Sequence, residues 1–127
     1  MPRPVVHFEI IGEDPQALRN YYSALFEWDF DVSGTVAPAV SASNEYGFTD
    51  PGRSSEGAGI PGGVGGGPTY ESRALFYVGV PAVEVALAEA ERLGGSRLMG
   101  PQTSPSGLVV AHFRDPAGNV IGLAGPE

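Results

Sequence analysis

Hydrophobic and polar residues follow the same order of elements twice along this chain. The run Val5-Val6-His7-Phe8-Glu9-Ile10-Ile11 is rich in β-branched and aromatic residues and reads as a strand. Ala74-Leu75-Phe76-Tyr77-Val78-Gly79-Val80 repeats it, with Leu75 standing where His7 stood. Each strand leads into a helix. Asp14 supplies an N-cap and Pro15 a first-turn proline, after which Ala17, Leu18, Tyr21, Tyr22 and Leu25 fall at helical spacing. The first helix is expected over about 14–26 and the second, opened by Pro81, over about 81–93. The second carries the apolar stripe Val83, Ala86, Ala90, Leu93 and ends at Gly94-Gly95 in a left-handed cap.

Candidate strands after the first helix are Trp28–Ser33, Val36–Ser43 and Glu45–Thr49, with a last one including Gly59-Ile60-Pro61-Gly62-Gly63. After the second helix they are a short one around Arg97, then Leu108–Phe113 and Asn119–Leu123. A strand, a helix and about three strands, twice over, predict an α+β chain of two βαβββ modules, residues 4–67 and 72–125. Both belong to a single domain, 1–127, whose mixed sheet curls around a cavity with the helices outside. The competing arrangement is a ferredoxin-like sandwich, which shares the alternation but lacks a closing Asp115-Pro116-Ala117-Gly118-Asn119 turn. The glycine-rich segment from Pro51 to Pro68 opens no helix with Gly-x-Gly-x-x-Gly and has no Lys-Ser/Thr ending, so it is no phosphate cradle. It is expected to combine a mobile loop, the last strand of the first module and the linker to the second, serving as a lid or as a plain connector.

Composition narrows the function. The 127 residues are enough for one core. With no cysteine, a disulfide framework, a thiolate metal site and a cysteine nucleophile are excluded. Seven dispersed arginines against 15 acids, a net charge of -8, form no basic stripe, so nucleic acid is not an expected partner. No apolar run approaches the roughly 18 residues of a membrane span and no signal peptide opens the chain, so no membrane partner and a cytoplasmic location are expected. The acidic balance favours a cationic ligand through long-range attraction, or serves solubility alone.

His7-Phe8-Glu9-Ile10, Glu13-Asp14-Pro15, Tyr21 through Trp28, Val80 through Gly95 and the Asp115–Asn119 turn come in an order that resembles small glyoxalase-like proteins. Their superfamily is the vicinal oxygen chelate group: glyoxalases, bleomycin-resistance proteins and extradiol dioxygenases. The departures are Glu27 for the usual glycine, Pro81-Ala82 for an acidic pair, and Gly122 for the glutamate that ligates metal. The resemblance implies four ligand positions, on the first and last strands of each module. Strand parity places His7 and Glu9 toward the cavity, with Val6, Phe8 and Ile10 under the helix. Leu75, Tyr77 and Gly79 are their counterparts, and Gly122 faces inward between buried Ile121 and Leu123. A proline or glycine holds the remaining place. One ligand at four positions does not make a divalent-metal site, which needs about three. Glu45 or Glu56 would have to reach in from a loop.

The expected activity is therefore metal-free binding of a small organic molecule, cationic or planar, sequestering a drug or metabolite as bleomycin-resistance members do. Ligand-binding candidates are His7, Glu9, Tyr46, Phe48, Leu75, Tyr77 and Gly122, with Trp28 and Tyr70 as further aromatics. Trp28 fits core packing better. His7 and Glu9 are the candidate acid–base residues, although a structural role for His7, or an arginine partner for Glu9 at Arg73, Arg97 or Arg114, fits the sequence as well. His112 alternates with Val109, Ala111 and Phe113, and its side of the sheet stays open. The alternative is a lyase, isomerase or dioxygenase that uses a divalent metal; whether the chain is an enzyme at all stays open. No other cofactor is implied. The resemblance also implies a homodimer. Gly122 and Leu75 are expected to cost the metal while sparing the fold, so that Leu75→His with Gly122→Glu should restore a site.

Overall fold

The computed structural model describes residues 1–127, which divide into two compact units, His7–Ala74 and Leu75–Glu127 with Met1–Val6. The first unit holds most of β1 (Val5–Gly12), then α1 (Pro15–Phe26), β2 (Gly47–Thr49), a small hairpin of β3 (Arg53–Ser54) and β4 (Gly57–Ala58), and β5 (Gly62–Gly66). β5 lies between β1, to which it is parallel, and β2, to which it is antiparallel. The second unit begins within β6 (Arg73–Gly79) and continues with α2 (Val83–Arg92), β7 (Ser96–Thr103), β8 (Val109–Arg114) and β9 (Val120–Gly125). There β6 pairs in parallel with β9, and β9, β8 and β7 follow antiparallel. In both units the last strand returns beside the first across a helix. The fold is α+β, as the repeated pattern of elements predicts. No helix is long and apolar enough to cross a membrane.

The helices form for the reasons the sequence offers. Asp14 Oδ1 accepts from the Ala17 amide at 3.1 Å, and Pro15 occupies the first turn. Gly94, at φ 106°, turns the chain out of α2, and the Gly95 amide donates to the Ala90 carbonyl at 2.9 Å. Val83 and Leu87 are wholly buried on Ala111 and Leu123, each contributing about 1.5–3 kcal/mol of apolar burial. Arg97 on β7 clamps the exposed side of α2 through Glu84 at 2.6 Å and Glu91 at 3.0 Å. Leu93 lies beyond α2 and is exposed, so the buried stripe runs through Leu87 instead.

The stripe on α1 is corrected more strongly. Tyr21 and Leu25 are exposed, while the buried residues are Pro15 and Arg19. Arg19 reaches the Glu45 carbonyl and Gln16 Oε1, and its guanidinium stands 3.7 Å from the Glu45 carboxylate. Its stem crosses Gly47, where a Cβ would meet Arg19 Cδ at 2.6 Å. The apolar end of the helix packs locally: Trp28 stacks among Phe8, Tyr22 and Phe26, with ring centroids 5.1–5.9 Å apart. Trp28 is a packing residue, as expected.

Two expected strands of the first module do not form. Trp28–Ser33 is reduced to one bridge between Asp31 and Phe48. Trp28 is held by its aromatic neighbours, and Asp31 Oδ1 accepts from both the amide and hydroxyl of Ser33, which turns the chain. Val36–Ser43 contains turns, and Ser41 there accepts from the Gly66 amide at 2.9 Å, securing the end of β5. The last strand also lies later than expected, at Gly62–Gly66 rather than Gly59–Gly63. All five of its residues are buried, so this part of the glycine-rich segment is interior strand and not loop.

Candidate functional site

In the first unit one sheet face carries a hydrogen-bonded chain of three side chains. Tyr46, just before β2, donates its hydroxyl hydrogen to Glu9 Oε1 at 2.9 Å and lies 2.8 Å from His7 Nε2. Glu9 is 1 % exposed and Tyr46 2 %, whereas His7 is half-buried. Burial alone pulls the His7 pKa from 6.5 down to about 4, because the imidazolium is poorly solvated there. Phe48 closes the group, its ring 4.9 Å from Tyr46 and 6.2 Å from His7.

The glycines of β5 make this arrangement possible. Gly63 pairs with Glu9 on one side and Phe48 on the other. A Cβ at Gly63 would stand 1.9 Å from the Tyr46 ring, and one at Gly65 would meet the same ring at 2.7 Å. The tyrosine lies flat on bare backbone. Alternation then places Phe8 on the opposite face, where its ring covers Gly62 at 2.1 Å from the would-be Cβ.

The second unit is built in the same way with the residue types exchanged. Tyr77, Gly122 and His112 share one rung of β6, β9 and β8. The Tyr77 hydroxyl lies 2.6 Å from His112 Nε2, and both residues are buried, at 3 % and 1 %. A Cβ at Gly122 would meet the Tyr77 ring at 2.4 Å. His112, whose side the sequence leaves open, therefore faces away from α2, together with Tyr77 and buried Leu75. Val109, Ala111 and Phe113 pack on α2. Ile121 is only half-buried, so Leu123 is the main packing residue of β9.

The remaining candidates are engaged elsewhere. The Tyr70 hydroxyl donates to the Pro38 carbonyl at 2.5 Å. Arg97 is held by Glu84 and Glu91, and Arg114 donates to the Gly118 carbonyl. Glu56 accepts from Ser54 and Ser55 in the exposed β3–β4 turn, and Glu45 faces Arg19. An apolar groove of about 330 Å³ runs beside α2, lined by Ala86, Ala90, Leu93, Phe113 and Pro116. It lies on the helix side of the sheet, away from Tyr77 and His112.

The sequence profile described as "Glyoxalase/Bleomycin resistance protein/Dioxygenase superfamily" matches residues 5–123. The chain belongs to that superfamily. Solved structures share the fold at low identity. A Streptomyces coelicolor methylmalonyl-CoA epimerase variant in complex with 2-nitronate-propionyl-CoA is 17 % identical over 95 % of each chain, with a TM-score of 0.64. A hypothetical protein from Bacillus halodurans C-125 is 14 % identical over all of this chain and 96 % of its own, with a TM-score of 0.65. No curated protein matches the chain significantly.

Divalent metals are frequent in the superfamily, and the donor set here does not fit one. No three His, Asp or Glu side chains are grouped to hold a metal ion. At Gly122, the place of the superfamily glutamate, Tyr77 occupies the space a side chain would need. The expectation that Leu75→His with Gly122→Glu would create a site is corrected for that reason: the new glutamate would collide with the ring. The Tyr–His pairing could not be read from the sequence, because it depends on which strand lies beside which glycine.

Proposed function

We propose that this superfamily member binds a small planar organic molecule without a metal ion and sequesters it unchanged. The observation that carries the reading is the pair of glycine seats at Gly63 and Gly122, each covered by a tyrosine ring. At both places a buried tyrosine ring fills the space that a ligating side chain would take. In the first unit the Phe48 ring offers a stacking face, and the imidazole of half-buried His7, tilted 60° to it, a polar edge, which suits aromatic ligands. The net charge of -8 favours a cationic one. A homodimer belongs to the same proposal, and sedimentation as a monomer at micromolar concentration would remove it.

The superfamily and the solved epimerases include enzymes, so a metal-dependent lyase, isomerase or dioxygenase is the competing reading. Fold alone does not choose between them. The test is fluorescence titration with N-methylacridinium, a planar cation, before and after exhaustive treatment with a chelator. Saturable binding of equal affinity in both samples is expected, weakened by Phe48→Ala. Binding that vanishes with the metal would contradict the proposal.

A further inference from the structure

α1 and α2 each follow the first strand of a module, and their outer faces differ in kind. α2 exposes Glu84, Glu89, Glu91 and Arg92, as a helix facing water normally does. α1 exposes no charge. Its single charged residue, Arg19, is buried and bonded to the Glu45 carbonyl and to Gln16 Oε1. Tyr21, Leu25 and Phe26 are instead 59 %, 53 % and 52 % exposed. Gln16, Ala17, Asn20, Ser23 and Ala24 complete that side, so no charge interrupts it along 12 residues. The rings are also ordered in advance. Tyr21 stands edge-on to Tyr22 at 5.1 Å, and Tyr22 stacks on Phe26 at 5.9 Å, so a contact there fixes few new rotamers.

We propose that the outer face of α1 packs on the same face of a second copy about a two-fold axis, with Tyr21, Leu25 and Phe26 at its centre. This rests on the homodimer put forward above and names its surface. Charge selects the occupant. A basic partner would be drawn to carboxylates, and this face offers none; an anionic surface is repelled by the net charge of -8. Two copies repel each other as well, and an uncharged face is where they meet without burying an unpaired carboxylate. Aromatic enrichment and charge depletion are the marks of an interface centre. Tyr21, Leu25 and Phe26 expose roughly 300 Å² per copy, given about 150–250 Å² for a whole aromatic side chain. Both copies together supply about half of the ~1,200 Å² of the smallest stable interfaces, and the smaller side chains around them add the rest.

The test is sedimentation velocity of the full chain at micromolar concentration. Wild type is expected to be a dimer. Leu25→Glu puts a carboxylate into the contact from each copy and should raise the dissociation constant about tenfold or more. Tyr21→Glu should do the same, and it carries the test should Leu25→Glu fail to fold. Val85→Glu, at a 70 % exposed position of α2, should leave the dimer intact. Added salt screens the repulsion between copies and should tighten the dimer. A dimer unchanged in both α1 variants, or one that salt loosens, overturns the α1 face and leaves the homodimer standing. Wild type that stays monomeric overturns both. A wild-type monomer that floats with phosphatidylcholine vesicles, and no longer does so as Leu25→Glu, gives the face to a bilayer and overturns the proposal too. Ligand sequestration is judged apart, by the N-methylacridinium titration.

Discussion

At the scale of single residues, His7 is changed strongly by folding. Its pKa falls from 6.5 to about 4 on folding because burial penalises the charged ring. Between those values the unfolded chain binds a proton that the folded chain does not. The His7 contribution to stability is thus complete above pH 6.5 and lost as pH falls toward 4, at most about 3 kcal/mol for a shift of that size. Asp31, Glu84 and Asp115 have lowered values as well, held down mainly by Ser33, Arg97 and Asn119, so their contributions disappear only at still lower pH. Urea unfolding of wild type across pH 7 to 4 is expected to show this loss, and His7→Asn to flatten it. Equal slopes in both proteins would show that His7 is not held neutral by the fold.

Among the elements, α1 ends on a residue poorly suited to its backbone. Glu27, where the superfamily usually has glycine, closes the helix at φ 61° and donates its amide to the Ser23 carbonyl at 2.9 Å. A left-handed conformation strains a residue with a Cβ, so Glu27→Gly should stabilise the protein by about 1 kcal/mol, net of the extra freedom glycine has when unfolded. A lower melting temperature in the variant would contradict this. The elements themselves were legible where proline, glycine and turn signals bound them, as in both helices, β8 and β9. They were not where tertiary contacts rule. Trp28 is drawn into an aromatic cluster, Asp31 bonds Ser33 instead of a strand, and a Gly-Gly-Val-Gly-Gly run has no strand propensity until rings cover it. Arg19 inside and Leu25 outside α1 likewise invert what hydrophobic spacing alone suggests.

For the whole molecule, the sequence carried the superfamily and the loss of its glutamate at Gly122. It placed His7 and Glu9 on one face by alternation alone. It did not carry the compensation, because nothing local ties Tyr46 to Gly63 or Tyr77 to Gly122. Only the strand registers bring each ring over its glycine. We propose that those rings stand where metal-ligating side chains would. This is tested most directly by calorimetric titration of chelator-treated protein with Zn²⁺, Ni²⁺ and Mn²⁺. No saturable one-to-one binding is expected for any of them. One-to-one binding at micromolar affinity or better, lost in His7→Ala, would contradict it.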